Sequence, residues 1–389
     1  MSSLLGQRPC TLLAVALAVV GCAEPTAPRP DGGGKALTLP RIHAGWESTC
    51  ALLAGDEVSC WGVDLGTQDR DSLPKALSGN PGFEVLSLAH GLFGLSGCGI
   101  NGSSSTYCWG SFLGIDLYQS YGTEPILILD SIPLTSVVSG PGHACGLASD
   151  GQAYCWGSYF RGKRGQGGPF QPTGSDWIAD LTPNRVAGGI AFVTLAAGDD
   201  HTCGIAAAND LVYCWGAGEL LGRPSGPFGV DDICVWTPCE TAPVLVEGLP
   251  QVIDLAIGSG QTCAVDRSGK VWCWGTTDHL VPAPVSLPRS VGQVVAGAYH
   301  TCALTSDGAA YCWAANWRGQ LGSAGLDAAT PHQVNTNLRF ASLSAGGRHT
   351  CGVTPDGGLY CWGSNYHGQL GNGTTTDSPV PVKVLTPGP

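Results

Sequence analysis

The segment CGVTPDGGLYCWG (351–363) recurs with substitutions along the chain and decides its architecture. The six other copies are CALLAGDEVSCWG (50–62), CGINGSSSTYCWG (98–110), CGLASDGQAYCWG (145–157), CGIAAANDLVYCWG (203–216), CAVDRSGKVWCWG (263–275) and CALTSDGAAYCWA (302–314). Successive copies begin 48, 47, 58, 60, 39 and 49 residues apart. A repeat of roughly fifty residues that is built from short strands is typical of propeller blades and not of helical solenoids.

Each copy is predicted to form a β-hairpin, because β-favouring residues flank a turn that is usually Asp-Gly or Ser-Gly. With a type I turn and a glycine bulge at 306–308, Cys302 falls opposite Cys312 on a non-hydrogen-bonded pair, close enough for a disulfide bond. The residue six after the first cysteine then needs a left-handed conformation, which costs glycine nothing. Asp56 and Ser104 depart from glycine at this position.

The cysteine count supports one disulfide bond per hairpin. The hairpin cysteines are Cys50, Cys60, Cys98, Cys108, Cys145, Cys155, Cys203, Cys214, Cys263, Cys273, Cys302, Cys312, Cys351 and Cys361. The insertion in the fourth copy adds Cys234 and Cys239, which we expect to pair with each other. Zinc is the competing explanation, but structural zinc needs four close ligands and these pairs lie some fifty residues apart. Disulfide bonds at this density indicate an oxidising compartment.

Histidine and tryptophan flank the cysteines at fixed positions. Histidine stands two residues before the first cysteine at His143, His201, His300 and His349, which raises the question of a metal site. We predict packed, hydrogen-bonded core histidines instead, since other copies place Ser48, Ser96 and Gln261 there. Tryptophan follows the second cysteine in every copy, on the opposite face of the strand, so we predict core packing and not a stacked ligand platform. No metal or cofactor site is predicted.

The composition narrows the function. The 389 residues include 59 Gly and 27 Pro, and only 12% are charged, which argues against long surface helices. The net charge of -12, with 18 Lys and Arg residues, repels phosphate, and the chain has no basic stripe for a nucleic-acid backbone. A hydrophobic fraction of 43% with 12 Trp excludes a wholly disordered chain.

The N-terminus predicts export. Residues 10–20, CTLLAVALAVV, form an apolar run that is too short to span a bilayer and fits a signal peptide. The following sequence, Val19-Val20-Gly21-Cys22, resembles the lipobox of bacterial lipoproteins. That resemblance implies lipidation of Cys22 and, because Ala23 and not Asp follows, an outer-membrane or cell-surface location. An ordinary secretory signal with an incidental cysteine is the alternative.

Three segments are therefore expected along the chain. They are a lipoprotein signal peptide (1–21), a Pro- and Gly-rich tether (22–36) and a propeller (37–389). The tether has almost no apolar residue and cannot build a core. Contact with the membrane is expected through the N-terminal lipid alone, and the propeller is expected to be a monomer.

The stretch AGGRHTCGVTPDGGLYCWGSNYHGQLGNGTTTDSPVPV (345–382), echoed by AGAYHTCALTSDGAAYCWAANWRGQLG (296–322), resembles the regulator of chromosome condensation repeat. The resemblance covers residues 37–389 and implies an all-β, seven-bladed β-propeller with four-stranded antiparallel blades. The last strand, around 379–382, matches the strand that precedes the inner strand of each blade, and the propeller sequence begins at an inner strand (37–45). We therefore expect one blade to combine strands from both termini and so close the ring.

Relatives with these repeats serve nucleotide exchange on a small GTPase, chromatin binding, enzyme inhibition and catalysis, so the fold does not define the function. An acidic, exported and cross-linked chain argues against nucleotide exchange and DNA binding. We predict a non-catalytic cell-envelope module that binds a protein partner of unknown identity. The alternatives are a secreted-type protein inhibitor of an enzyme, and a propeller hydrolase or lyase with its active site in the central channel.

The candidate binding residues lie in two insertions, 158–185 and 217–243, which follow the Cys-Trp-Gly strand in the third and fourth copies. Insertions at one position of successive repeats project from one face of the ring, and aromatic and Arg side chains are frequent interface anchors. The candidates are Phe160, Arg161, Lys163, Arg164, Phe170, Trp177, Phe228 and Trp236. The alternative is that these are ordinary loops whose aromatic side chains cover the ends of the blades.

No catalytic residue is predicted. The recurring acids Asp150, Asp307 and Asp356 occupy turn positions, and Asp199-Asp200-His201 reads as a turn that enters a strand. An enzyme would instead need carboxylates or histidines clustered at the mouth of the central channel.

Overall fold

The computed structural model describes residues 39–63, 70–89, 97–110, 124–168, 180–223, 238–275 and 279–385. Within these residues, 28 strands form seven four-stranded antiparallel sheets, and each sheet is made of four consecutive strands. Short 3-10 turns occur at Phe160–Gly162, Ala187–Gly189 and Gly218–Leu220. The seven sheets are the blades of a propeller, as the repeat predicts.

Blades are numbered in chain order, and each begins with its innermost strand. Blades 1 and 2 contain β1 (Arg41–Ala44), β2 (Ser48–Leu52), β3 (Val58–Val63), β4 (Arg70–Ala76), β5 (Phe83–Leu88), β6 (Gly97–Asn101), β7 (Thr106–Trp109) and β8 (Ile126–Leu129). Blades 3 and 4 contain β9 (Leu134–Ser139), β10 (His143–Ala148), β11 (Ala153–Gly157), β12 (Asp180–Arg185), β13 (Phe192–Ala197), β14 (His201–Ala206), β15 (Val212–Ala217) and β16 (Cys239–Leu245).

The last three blades follow the same plan. They contain β17 (Val252–Ile257), β18 (Thr262–Asp266), β19 (Val271–Trp274), β20 (Ala283–Val285), β21 (Val291–Ala296), β22 (His300–Thr305), β23 (Ala310–Ala314), β24 (Ala328–Gln333), β25 (Ser342–Ala345), β26 (His349–Val353), β27 (Leu359–Gly363) and β28 (Ser378–Lys383). Blade 5 has the shortest outer strand, β20, which agrees with the 39-residue spacing of its repeat.

The predicted disulfide bonds of all seven hairpins are present. Cys302 pairs with Cys312 across β22 and β23, and the equivalent cysteines are paired in register in every other blade. The bonds are Cys50–Cys60, Cys98–Cys108, Cys145–Cys155, Cys203–Cys214, Cys263–Cys273, Cys302–Cys312 and Cys351–Cys361. Cys239 is also disulfide-bonded, whereas Cys234 lies outside the described residues.

The hairpin turns adopt the predicted left-handed conformation. The glycines six residues after the first cysteine have φ between 78° and 84°: Gly151, Gly269, Gly308 and Gly357. Asp56 and Ser104, which replace glycine in blades 1 and 2, have φ of 61° and 63°. The turn geometry is therefore kept even where a side chain makes it strained.

The core lies between the blades and repeats seven times. At each boundary the disulfide bond of one blade packs against a tryptophan of the next blade along the chain. This is the tryptophan that directly follows the second cysteine of that blade. Cys302 and Cys312 cluster with Trp362, and Cys351 and Cys361 of the last blade cluster with Trp61 of the first. Five of these tryptophans are less than 2% exposed. The prediction of a small cysteine face and a large aromatic face on each blade is confirmed.

The expected closure by a blade shared between the two termini is wrong. β1 to β4 form one complete sheet and β25 to β28 form another, so neither terminus lends a strand to the other. The first and last blades instead meet through backbone and side chains: Gly347 N–H donates to the Gly45 carbonyl (2.9 Å), and Ala44 N–H donates to Ser344 Oγ (2.9 Å). The strand at 378–383 is thus the outer edge of blade 7.

Residues 1–38 lie outside the described residues, and with them the predicted signal peptide, the lipidation site Cys22 and the tether. Among the residues that the structure describes, no helix has the length and apolarity that a membrane crossing needs. Export and lipidation remain predictions from the sequence.

Candidate functional site

Two sets of loops share one face of the ring. In an antiparallel meander, the connection from the first to the second strand (the inner loop) and that from the third to the fourth (the outer loop) leave the same end of the sheet. We call this end the loop face. The insertions at 158–185 and 217–243 belong to the outer loops of blades 3 and 4, so the prediction that they start from one face agrees with the topology.

Histidines at the start of the second strands bind the neighbouring blade. Each Nε2 lies 2.7 or 2.8 Å from a threonine Oγ1 of the next blade: His143 with Thr202, His201 with Thr262, His300 with Thr350, and His349 with Thr49. Burial lowers the pKa of His201 to about 4, so the ring is neutral at physiological pH. No group of three metal-ligating side chains occurs in the described ranges, and these histidines act in the core as predicted.

The outer loops also serve the blade interfaces through their backbone. The Gln320 carbonyl accepts hydrogen bonds from Trp362 Nε1 (3.0 Å) and Thr350 Oγ1 (3.0 Å). The same repeat position supplies the carbonyl acceptor for a tryptophan at Lys163, Leu220 and Gln369. Because only the backbone is used, the side chain at this position is free to vary.

Glycines at the end of the first strands allow neighbouring blades to pack closely at the loop face. A Cβ on Gly258, Gly297 or Gly346 would lie 2.2 Å from the carbonyl oxygen of the equivalent glycine in the next blade. Gly45 closes this series, and Ala89 takes the position in blade 2. The backbones of these neighbouring blades are thus in close contact at the ends of their first strands.

A cavity of about 270 Å³ occupies the channel among the inner strands. Asp254 lies in its wall and accepts a hydrogen bond from Val294 N–H (2.7 Å), and burial raises the pKa of this carboxyl to about 7. His43 lines the same cavity, and burial, with a smaller contribution from Arg41, lowers its pKa to about 4. Since Asp254 already binds the backbone of blade 6, we assign it a role in joining two blades.

Lys163 and Arg164 are buried, so they are unsuitable as surface anchors, and this part of the binding hypothesis is corrected. Lys163 is 6% exposed, and its Nζ donates to the Asp199 carbonyl (2.9 Å) and to Asp200 Oδ1 (3.3 Å). Arg164 is 5% exposed and pairs with Asp180 (3.0 Å). Sequence reasoning placed these residues in an insertion, whereas they belong to the repeat itself, at the positions of Gln320-Leu321 and Gln369-Leu370.

Phe160 and Arg161 do lie on the loop face. Phe160 is 42% exposed. Arg161 binds two carboxylates of the next blade, Glu219 (3.0 Å) and Asp200 (3.3 Å). Arg161 is thus already paired within the chain. The other four candidates, Phe170, Trp177, Phe228 and Trp236, lie outside the described residues, and their binding role stays a hypothesis.

Two exposed aromatic residues on the loop face were missed in the sequence. Trp317 is 59% exposed and Tyr366 is 56% exposed, and both occupy the repeat position of Phe160. Each precedes a basic residue, as Phe160 does: NWRGQLG (316–322) and NYHGQLG (365–371) match YFRGKRG (159–165). An alignment of the copies beyond the Cys-Trp-Gly strand reveals them, whereas the length of the insertions alone points to blades 3 and 4.

The acids of the hairpin turns are local turn residues, as predicted. Gln152 N–H donates to Asp150 Oδ1 (3.0 Å), and Thr305 Oγ1 donates to Asp307 Oδ1 (2.6 Å). Thr354 Oγ1 makes the equivalent bond to Asp356, and these bonds lower the pKa of Asp307 and Asp356. They lie at the hairpin turns, opposite the loop face.

The fold and its interfaces define the class of this chain as a seven-bladed β-propeller. The regulator of chromosome condensation (RCC1) repeat matches residues 134–166, 192–219, 292–320, 340–369 and 356–388. These matches lie in blades 3, 4, 6 and 7, so the repeat that the sequence resemblance implied is found in four of the blades.

Solved structures share the fold. Prp20p from Saccharomyces cerevisiae is 21% identical with a TM-score of 0.70, covering 85% of this chain and 86% of that one. Human WBSCR16 is 19% identical with a TM-score of 0.65, covering 82% and 85%. A curated relative, the E3 ubiquitin-protein ligase HERC2 from Homo sapiens, is 40% identical over 91 residues, which are 22% of this chain and only 2% of that protein.

Proposed function

We propose that this chain is a non-catalytic binding module of the cell envelope that holds a protein partner on its loop face. The observation that carries the proposal is the repeated exposed aromatic position on that face, at Phe160, Trp317 and Tyr366. Aromatic residues on a rigid scaffold supply much of the energy of protein interfaces at low entropic cost. Seven hairpin disulfide bonds make such a scaffold.

Protein binding also agrees with the related structures. Prp20p is described for its binding to Gsp1p and histones, and the same yeast protein has been solved with Kap60 bound. We transfer only the general mode, a protein held by a propeller. A net charge of -12 and the predicted export argue against carrying over nucleotide exchange or chromatin binding.

The experiment is affinity capture from an envelope extract of the cells that make the protein. Wild-type protein is compared with the triple variant Phe160→Ala, Trp317→Ala, Tyr366→Ala. Val193→Ala serves as the matched control, because Val193 is 60% exposed and lies near the hairpin end of blade 4. We expect a partner that is retained by wild type and by the control and lost by the triple variant. Capture of no protein, or equal capture by all three, would contradict the proposal.

The envelope location is tested separately. The variant Cys22→Ser removes the predicted lipidation site. We expect it to move from the membrane fraction to the soluble exported fraction. Unchanged partitioning would contradict a lipid anchor at Cys22. The binding proposal would not be affected, because the capture experiment tests it independently.

A further inference from the structure

Two blades bring three aromatic rings together on the loop face, and a third blade adds a guanidinium group. Tyr299, in the inner loop of blade 6, has its ring centre 5.7 Å from that of Trp46 in blade 1 and 5.3 Å from that of Trp317 in the outer loop of blade 6. The guanidinium carbon of Arg348, in the inner loop of blade 7, lies 5.6 Å above the centre of the Tyr299 ring. We call Trp46, Tyr299, Trp317 and Arg348 the Tyr299 surface.

Trp46 is the buried part of the Tyr299 surface and is held in a fixed position. Trp46 is only 5% exposed, and it packs closely on Gly347: a Cβ there would lie 2.6 Å from the Trp46 carbonyl oxygen and 2.9 Å from its ring. The inner loops of blades 1 and 7 are also joined by the bond from Gly347 N–H to the Gly45 carbonyl. The Tyr299 ring therefore packs against a side chain that is already fixed. Little conformational entropy of these side chains is then lost when a ligand binds.

Trp317 is the exposed part of the Tyr299 surface and presents an apolar ring. Trp317 is 59% exposed, although its indole N–H already donates to Asp327 Oδ2 (3.1 Å). The polar group of the ring is thus satisfied within the chain, and what remains exposed is the apolar ring surface. An apolar side chain is the natural complement to such a surface.

Arg348 supplies a charge that has no counter-ion among the residues that the structure describes. Within the described ranges, its guanidinium makes no ion pair or hydrogen bond, and its Nε is buried with no partner. Arg318, on the same face, differs because it pairs with Asp377 (3.3 Å). A planar guanidinium stacked on an aromatic ring keeps its N–H groups for a carboxylate, which it binds in a charge-assisted pair.

We propose that the Tyr299 surface binds a peptide segment of the partner in which a carboxylate side chain stands beside an apolar one. The carboxylate pairs with Arg348, and the apolar side chain covers Trp317. This inference rests on the proposed function and names the place and the chemistry of the contact. The whole chain is acidic, so the attraction is a short-range one made at Arg348 itself.

Phe160 provides a matched comparison in the same molecule. It occupies the repeat position of Trp317 and is 42% exposed, but the arginine beside it, Arg161, is already paired with Glu219 and Asp200. An exposed aromatic residue is therefore present there without an uncompensated guanidinium.

The experiment uses a phage-displayed library of random short peptides selected on the purified wild-type propeller. Fluorescence polarisation then measures the selected peptides with wild type, Trp317→Ala, Arg348→Gln and the control Val193→Ala. We expect peptides enriched in Asp or Glu next to an apolar residue. Trp317→Ala and Arg348→Gln should each weaken their binding by roughly tenfold or more. Val193→Ala, which changes an exposed residue near the hairpin end of blade 4, should leave it unchanged. Circular dichroism checks that each variant is folded.

Three results would overturn the inference. They are the absence of selected peptides, peptides without an acidic residue, and binding that Arg348→Gln leaves unchanged. The proposed function fails separately, through the envelope capture experiment. A partner that the triple variant loses but Trp317→Ala and Arg348→Gln both retain would keep the proposed function and reject the Tyr299 surface.

Discussion

The side chains of Thr49 and His349 lie 300 residues apart in the sequence and 2.8 Å apart in the structure. They join the first blade to the last, and both residues are fully buried. The same bond joins His300 to Thr350 between blades 6 and 7. The ring is therefore closed by the interaction that joins consecutive blades, repeated once more between residues at the two ends of the propeller.

Thr49→Val tests this closure. The variant keeps the shape of the side chain but removes the hydroxyl that contacts His349 and donates to the Gln369 carbonyl (2.9 Å). We expect the free energy of unfolding to fall by about 1–3 kcal/mol, since a buried polar group loses its partner. Denaturant titration measures it, and Thr350→Val is the control, with the same bond between consecutive blades. If Thr350→Val lowers the free energy of unfolding and Thr49→Val does not, the bond between Thr49 and His349 does not stabilise the contact between blades 1 and 7.

Gly346→Ala tests the close backbone contact between blades 7 and 1. Its Cβ would lie 2.2 Å from the Gly45 carbonyl oxygen, a backbone atom that cannot move without displacing blade 1. We expect a loss of several kcal/mol, on the order of the largest single-substitution effects, seen as a lower melting temperature. Gly260→Ala is the control, because nothing lies within 4 Å of its Cβ position. Similar melting temperatures for the two variants would contradict the close packing of these glycines.

His201→Gln tests the buried histidines by their pH dependence. Burial lowers the pKa of His201 to about 4 in the folded protein, below its ordinary value of 6.5, so the unfolded chain takes up the proton first. Stability is then complete above pH 6.5 and falls as the pH drops towards 4. Gln261 shows that glutamine fits this position in blade 5. We expect His201→Gln to lose less stability than wild type over this range, and the exposed His332→Gln to behave as wild type. Parallel curves for all three would be inconsistent with this assignment.

Asp254→Asn tests the wall of the channel. The pH dependence of stability that we expect there has the opposite sign to that of His201. Burial raises the pKa of Asp254 to about 7, so the folded protein holds a proton that the unfolded chain releases near pH 4. The wild type therefore loses stability as the pH rises from about 4 to 7. Asparagine keeps an oxygen for Val294 N–H, so we expect Asp254→Asn to be the more stable protein at pH 8, with an advantage that shrinks below pH 7 and is lost near pH 4. The exposed Glu57→Gln is the control. An advantage that does not change with pH would point to packing instead of titration.

The repeat alone was enough to predict the blades and their disulfide bonds. The pairing of Cys302 with Cys312 follows from turn length and strand alternation, which are local properties. The burial of tryptophans such as Trp362 follows from the need to cover both faces of each blade. These predictions depend on residues close together in the sequence, and the structure confirms them.

The ring closure and most of the binding face could not be predicted in the same way. The strand at 378–383 is compatible with either edge of a blade, and only its pairing with β27 decides between them. Lys163 looks like a surface cation in the sequence, yet its backbone carbonyl is what the repeat requires and its side chain turns to the next blade. The contacts of Tyr299 with Trp46 and Arg348 join three blades. Because these residues are far apart in the sequence, no local sequence pattern predicts the contacts.

The central claim is a ring of seven blades, each cross-linked within its own hairpin, in a compartment that allows disulfide bonds. Mass mapping of the protein purified from its own cells, after blocking free thiols and without reduction, tests it most directly. We expect Cys302 to be linked to Cys312 and Cys351 to Cys361, with the equivalent bonds in the five other hairpins. Blocked thiols at these cysteines, or bonds between different blades, would contradict the account.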